Sequence, residues 1–483
     1  MNLSLAEIWF YSLTILDVVL ASWTTVHAVL NKRDSRAAIG WVGLAWLSPF
    51  IGCILYFCFG VNRIERKATS LRLTGHWHHP RYTPLLAKDL AQYEAFKSQY
   101  PTHADLEVLV QKLTGRPAFP GNDVRALYDG DQAYPSMLEA IDSAKHSIAL
   151  LSYIFDNDRA GQAFRERLIA AKERGVEIRV LVDDVGSRYS RPNMIEQLKK
   201  DGIRAERFMP TRVPRMFKYA NLRNHRKILV VDGRIGFTGG TNIREGHWLS
   251  LSPDVPVSCL HFRFEGPVVE NLQEVFAFDW AFATGEFLEG DLWFPKIERT
   301  ADIWARGISG GPDEHLDKMP LTIIGALTAA RRSVRIVTPY FLPEQPIVQA
   351  LITAALRGID VRIMIPSENN IPPVHWAACT TLPYLMDRGC RVYLSPPPFD
   401  HTKLLLVDGL WSLVGSTNWD PRSLRLNFEF NVECYSPKLG EELQSFVTNR
   451  LTVSRELSAK ELRARPLLIR LRDGFARLFS PYL

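Results

Sequence analysis

The sequence is short of cysteine, and the six it has (Cys53, Cys58, Cys259, Cys379, Cys390 and Cys434) form no CxxC pair. A disulfide framework needs a denser pattern, and a chain of 483 residues has core enough without one. Reduced, buried thiols are the expectation. Charge of one sign is also scarce: 58 Lys and Arg against 52 Asp and Glu leave a net +6. So small an excess does not mark a nucleic-acid binder, and long basic grooves with stacking aromatics are missing. It is compatible with an anionic membrane surface. Glycine and proline, at 30 each, are too few for a collagen-like or low-complexity chain. With 46% hydrophobic and 23% charged residues, composition excludes a disordered chain and a polytopic membrane protein. No Lys or Arg precedes the first apolar run, which argues against a cleaved signal peptide.

What is present begins with two apolar runs, residues 8–30 and 37–61, each long enough to span a bilayer. The polar break Asn31-Lys-Arg-Asp-Ser-Arg36 separates them, and Asn62, Arg63, Arg66 and Lys67 close the second. Trp9, Trp23, Trp41 and Trp46 suit interfacial belts. A two-helix transmembrane hairpin is expected over 1–67, with Asp17 facing the partner helix. Basic residues are balanced across the two ends, so the positive-inside rule picks no orientation.

Residues 68–120 read as a connector with a helical stretch at 86–97. The chain then repeats itself. Ala144-Lys-His-Ser-Ile recurs as Ala330-Arg-Arg-Ser-Val, 186 residues later. Gly175-Val-Glu-Ile-Arg-Val recurs as Gly358-Ile-Asp-Val-Arg-Ile, 183 later. His225-Arg-Lys recurs as His401-Thr-Lys, 176 later. Each half alternates helix and strand patterns, with apolar strands such as 178–182 and 361–365. That pattern implies an α/β fold, a mixed sheet flanked by helices on both faces. Two pseudo-symmetric halves are expected at 121–300 and 301–453, with a site at their interface.

The strongest signal is His225-Arg-Lys227-Ile-Leu-Val-Val-Asp232, then six residues, then Gly239-Gly240-Thr-Asn242. Its copy is His401-Thr-Lys403-Leu-Leu-Leu-Val-Asp408, six residues, then Gly415-Ser416-Thr-Asn418. On a strand, His and Lys two apart share one face. Asp-Gly is a two-residue hairpin turn. Counting back from it sets Lys227 near Thr238, His225 near Gly240, Lys403 near Val414 and His401 near Ser416. Gly240 and Ser416 are then small residues where a phosphate needs room, with Asn242 and Asn418 within reach. Asp232 and Asp408, the third members of the catalytic motif, fall on the turn at the opposite parity. They read as structural hydrogen-bonding residues.

Two His, two Lys and two Asn converging suit phosphoryl transfer without metal or cofactor. One imidazole attacks phosphorus and the other handles the proton. The lysines and asparagines hold the phosphoryl oxygens. His, Lys and Asp at these spacings offer no zinc cluster.

The doubled HxKxxxxD with a trailing G[GS]xN resembles the phospholipase D superfamily. Within it the chain resembles the bacterial cardiolipin synthases, on Lys32-Arg-Asp-Ser-Arg36, Phe59-Gly-Val-Asn-Arg63, Asn224-His-Arg-Lys227, Glu265-Gly-Pro-Val-Val269, Ser309-Gly-Gly-Pro312 and Gly415-Ser-Thr-Asn-Trp-Asp-Pro-Arg-Ser423. The resemblance covers nearly the whole chain from about residue 30. It implies a phosphatidyltransferase of the bacterial inner membrane, multi-pass, that joins two phosphatidylglycerol molecules into cardiolipin and releases glycerol. The superfamily implies His225 as nucleophile and His401 as acid, each oriented by a carboxylate. Glu429 stands at that position in the second half. In the first half the slot holds Cys259, which leaves the partner of His225 open; Glu265, before Gly-Pro, reads as structural. A phospholipase D-type hydrolase yielding phosphatidic acid is the alternative, since one intermediate serves both. Anionic membrane lipids and the bilayer are the expected partners, nucleic acid is not, and homo-oligomerisation stays open.

Two basic segments complete the reading. Arg212, Arg215, Lys218, Arg223 and Arg226, with Phe217 and Tyr219, form either a headgroup-binding loop or a solvated one. Residues 454–483 form a basic amphipathic tail, with Leu467, Leu468, Leu471, Phe475, Leu478 and Phe479 at helical spacing. Its apolar face lies either on a membrane or on the protein body. Trp419 and Phe428, flanking the second motif, are expected in the core.

Overall fold

The protein was analysed as a computed structural model that describes residues 4–32, 35–48, 50–60, 87–210, 222–312 and 317–480. Backbone contacts divide the chain into two units. One is Met1–Ser70 with Thr211–Asn221; the other is Leu71–Pro210 with Leu222–Leu483.

In the first unit the helix Leu5–Asn31 starts on a capping box, Ser4 and Glu7 each satisfying the other's backbone N–H. It is the one helix among the described residues long and apolar enough to cross a membrane. The second apolar run, expected as a single span, is broken. It forms the helices Ser35–Leu47 and Ile51–Leu55 and a π-helical turn, Tyr56–Gly60. The sequence reason is Pro49, which lacks an N–H and disfavours helix in the residue before it. At the break the Phe50 N–H donates to Asp17 Oδ1 at 2.9 Å. Trp46 Nε1 donates to Thr25 Oγ1 at 3.0 Å, and His27 Nδ1 lies 2.7 Å from the Tyr56 hydroxyl. The polar residues of the first helix thus meet polar groups of the second run.

The second unit is built on one continuous sheet, 16-stranded among the described residues. At its centre the strands Phe119–Tyr128 and Ile303–Gly310 pair antiparallel. Outward from the first run Leu260–Glu265, Ile235–Gly239, Ile228–Val231, Ser147–Ser152, Glu177–Asp183 and Arg204–Phe208. Outward from the second, in the same relative order, run Asn427–Tyr435, Trp411–Gly415, Leu404–Val407, Ser333–Val337, Asp360–Pro366 and Arg391–Ser395. The short strand Arg455–Leu457 adds an edge to the second half alone. Parallel and antiparallel pairs mix in both halves. Ser147–Ser152 and Asn427–Tyr435 are buried at every position. Successive side chains point to opposite faces, so the sheet is covered on both.

Each half has its own apolar core. Phe164, Leu168, Val180, Leu229 and Phe237 lie in the first; Val348, Leu351, Ile363, Leu405 and Trp411 lie in the second. The helix expected at 86–97 is present as Ala87–Gln99. Its Phe96 belongs to the second core, as do Leu106 and Val110 of the next helix, Ala104–Thr114. Glu107 of that helix also pairs with the fully buried Arg306, which bonds Glu433 at 2.6 Å. The segment ahead of the first half therefore packs into the second.

Candidate active site

The two motif hairpins turn as Asp-Gly predicts. Asp232 and Gly233 take φ of 52° and 62°, Asp408 and Gly409 of 57° and 65°, the left-handed pair of a primed turn. The strand register differs from the count by one residue. Val231 pairs with Ile235 and Ile228 with Thr238; Leu404 pairs with Val414. A third residue, Arg234 or Leu410, joins each loop, so the pairing given above for Lys227 and Lys403 shifts by one.

The motif aspartates stand apart from the reacting groups. Asp232 accepts the N–H groups of Lys145, His146 and Ser147 at 2.9, 2.7 and 2.9 Å. Asp408 accepts those of Arg331, Arg332 and Ser333 at 2.8, 2.7 and 2.8 Å. These N–H groups belong to the repeated Ala-x-x-Ser segments, so two separate repeat signals are one contact. Asp232 and Asp408 thus pin each hairpin to its neighbouring strand. Asp232→Ala is expected to lower unfolding stability by about 2–4 kcal/mol, since it orphans three donors and puts alanine at positive φ. Thermal denaturation checks this. An unchanged Tm with lost turnover would return Asp232 to the chemistry.

The histidines are placed by two short bridges between the halves. Arg223 and Asn224 pair in parallel with Asn427 and Phe428. Phe399 and Asp400 pair in parallel with Val257 and Ser258. The next residue of each bridge lands in the site. His225 comes to Glu429 and His401 comes to Cys259, and their backbone N–H groups donate to Phe428 O at 2.9 Å and Ser258 O at 2.7 Å. His225 Nδ1 lies 3.0 and 3.1 Å from the Glu429 oxygens. His401 Nδ1 lies 2.9 Å from Gly240 O. The support is therefore crossed: Glu429 of the second half orients His225, and the open position belongs to His401. The strand register fixes the equivalence. His261 faces Gly239 and Asn431 faces Gly415, so two residues earlier Cys259 matches Glu429. Burial pushes the Cys259 thiol up to about 12, so it stays neutral and supplies no counter-charge. Glu265 takes no part, accepting from Arg263 at 2.7 Å at the strand's end.

The two imidazole centroids are 6.4 Å apart, close enough for one phosphorus to meet both. A carboxylate or carbonyl only accepts, so each Nδ1 carries hydrogen and each Nε2 keeps a free lone pair. Burial lowers His225 to about 4 against the pull of Glu429. His401 is driven well below its ordinary value by burial and by Lys403, His247 and Lys227. Both rings are therefore neutral near neutral pH. Glu429, despite burial, is held below the usual carboxylate range by His225 and Lys227. Burial also lowers Lys227 to about 7 and Lys403 to about 8. Their Nζ atoms donate to the His225 and His401 carbonyls at 2.6 and 2.7 Å. A buried group with two lysines and one carboxylate favours an anion, which would restore the lysine charges.

The remaining expected residues frame this group. A Cβ on Gly240 would meet Cys259 Sγ at 2.4 Å and His401 O at 2.7 Å, so its missing side chain serves the crossed bridge. The Ser416 hydroxyl donates to Phe430 O and accepts from Phe430 N. Asn242 Oδ1 accepts from Ile154 N at 3.3 Å. Asn418 donates to Ser423 Oγ at 3.1 Å, and its buried carbonyl oxygen has no partner among the described residues. Arg226, grouped by sequence with the basic loop, is buried and paired with Asp279 at 2.5 Å; residues 211–221 lie outside the described residues. Trp419 and Phe428 are buried, Trp419 against Phe341.

Several neighbours complete the site, and of these Tyr153, His247 and Asp183 are not expected from the sequence. Tyr153 and Tyr340 set their rings 5.0 and 6.4 Å from His225 and His401. His247 lies 6.0 Å from His401. Asp183, raised by burial to about 6, receives the Asn224 N–H at 2.8 Å. The sequence does place Thr338–Phe341 at a strand end near the site, without a role for Tyr340; the repeat-related Ser152-Tyr-Ile carries the same signal for Tyr153.

The model described as cardiolipin synthase, PLD-like domain matches residues 137–280 and 323–450. One described as phospholipase D-nuclease N-terminal matches 19–60. The major cardiolipin synthase ClsA of Bacillus subtilis (strain 168) is 31% identical over 494 residues, covering 100% of each chain. A cardiolipin synthase of Staphylococcus aureus (strain Mu50 / ATCC 700699) is 30% identical over 480 residues, 94% of this chain and 93% of its own. The crystal structure of phosphatidylserine synthase from Haemophilus influenzae Rd KW20 aligns with a TM-score of 0.62 at 15% identity, over 78% of this chain and 100% of that one. That likeness is of fold alone.

Proposed function

The chain belongs to the cardiolipin synthase family of phosphatidyltransferases with phospholipase D-like domains, and on that premise we propose that it joins two phosphatidylglycerols through a phosphatidyl-histidine on His225. The observation that carries the reading is the Glu429–His225 pair facing His401 across the two halves. Glu429 fixes the tautomer that leaves His225 Nε2 as a lone pair. That nitrogen attacks phosphorus, and the bond from phosphorus to the glycerol oxygen breaks. His401, protonated once the anionic phosphodiester is bound, gives its proton to the departing glycerol. The headgroup hydroxyl of a second phosphatidylglycerol then enters. His401 takes its proton, its oxygen bonds to phosphorus, and the phosphorus–nitrogen bond breaks. The products are cardiolipin and glycerol, and His225 is restored. Lys227 and Lys403 offset the charge on the phosphoryl oxygens.

Labelled phosphatidylglycerol given to the purified full chain is expected to yield cardiolipin and glycerol in equal amounts. Phosphatidic acid as the sole lipid product would replace this reading with a hydrolase.

The anchor we read as two spans in the bacterial inner membrane, with the broken second run returning beside the first helix. The Asp17–Phe50 bond supports this, because a free N–H at such a break is costly in hydrocarbon. The body is read as two halves, 121–300 and 301–453, between a connector and a basic tail.

A further inference from the structure

The C-terminal helix Leu467–Leu478 is turned the wrong way round for a helix resting on a soluble body. An amphipathic helix normally buries its apolar stripe and exposes its charges. Here the buried residues are Asp473, 1% exposed, and the small Ala476, and the large apolar side chains face out. Leu468 and Leu478 are 79% and 73% exposed; Leu467, Leu471, Phe475 and Phe479 are exposed with them. The sequence left the apolar face to either a membrane or the protein body, and the body does not take it.

The orientation is fixed by specific contacts. Asp473 is paired with Arg465 at 2.7 Å and with Arg472 at 2.8 Å. The Arg472 guanidinium lies 4.3 Å from the Trp376 ring centroid. Ala476 packs on Ala377 and Leu342. The charged side of the helix is thus clamped onto the helix Pro372–Met386. Just ahead of that helix, Asn370 accepts the Tyr340 hydroxyl at 2.7 Å, and Tyr340 edges His401. The helix that bears the apolar stripe therefore packs, by its opposite side, on the element that leads to the site.

We infer that this helix is a second membrane contact, which lays its apolar face into an anionic bilayer and holds the body against the surface its lipid substrate comes from. Three observations select that occupant. The stripe is five large apolar side chains on one short helix, extended by Phe479 at its C-cap, the form of an interfacial helix. The exposed Arg470 and Arg477 flank it, and the helix carries 3 − 1 = +2 charges, which suits anionic headgroups. A second copy of this chain would bring the same arginines against their own kind.

The full chain is placed in phosphatidylglycerol nanodiscs with Phe475→p-benzoylphenylalanine, irradiated, and its intact mass read. The same label at exposed Glu166 is the control, and Leu471→p-benzoylphenylalanine is an independent second position. Lipid adduct at 475 and 471 is expected to exceed that at 166 by at least about tenfold. Chain-to-chain adducts at 475 and 471, or lipid adduct no greater than at 166, would overturn the inference.

Discussion

His225→Ala is expected to lower turnover by at least about 10⁵-fold, and His401→Ala by about 10²- to 10⁴-fold. The two losses differ because the two supports differ. His225 has an ionised, buried carboxylate on Nδ1, and His401 has only the Gly240 carbonyl. Forming a bond to phosphorus puts positive charge on the attacking imidazole, and Glu429 is placed to balance it. Losing that nitrogen removes the covalent route altogether. His401 moves a proton between oxygens, a task that water performs poorly but does perform. Single-turnover rates with phosphatidylglycerol measure both variants. Equal losses would say that the site is as symmetric as its sequence motif.

Glu429→Gln is expected to cost about 10³- to 10⁴-fold in kcat with little change in KM, the range found when the carboxylate behind a catalytic histidine becomes an amide. The pH dependence gives the sign independently. His225 must be neutral to attack, so kcat/KM falls as pH falls through its pKa. Burial sets that value at about 4, and Glu429 holds it from going lower. With the charge removed, the imidazolium loses its counter-ion and the acid limb moves to lower pH. At the other end Lys227 and Lys403, near 7 and 8, lose charge as pH rises. The wild-type profile therefore declines on the alkaline side from about neutral pH upward. A Glu429→Gln acid limb that moves to higher pH would show that Glu429 does not act on His225.

Much of this site was legible in the sequence because it is written locally. The His and Lys two apart on a strand, the Asp-Gly turn and the duplicated spacing needed no tertiary information. The structural role of Asp232 followed from parity, and the repeated Ala-x-x-Ser segments turned out to be its partners. The register error came from one residue: a primed turn at Asp232-Gly233 still leaves Arg234 in the loop. The crossing of Glu429 to His225 was beyond local reasoning. It arises from two-residue bridges between segments 204 positions apart, His225 to Glu429, and neither half contains that pairing. Cys259 stands where Glu429 stands in the other half, and it lies beside His401, not His225. In the second apolar run, hydropathy measured length and missed the break between Leu47 and Ile51. The amphipathic tail was evident from spacing, but which side it turns to the body depends on Asp473 finding Arg465.

The most direct measurement is the location of the phosphatidyl group. His401→Ala enzyme is mixed with labelled phosphatidylglycerol, quenched in alkali, digested, and the modified peptide sequenced by mass spectrometry. The account predicts label on His225, stable because the partner that completes transfer is gone, and none in His225→Ala. Label on His401 in the His225→Ala enzyme, or turnover with no labelled histidine in either, would contradict it.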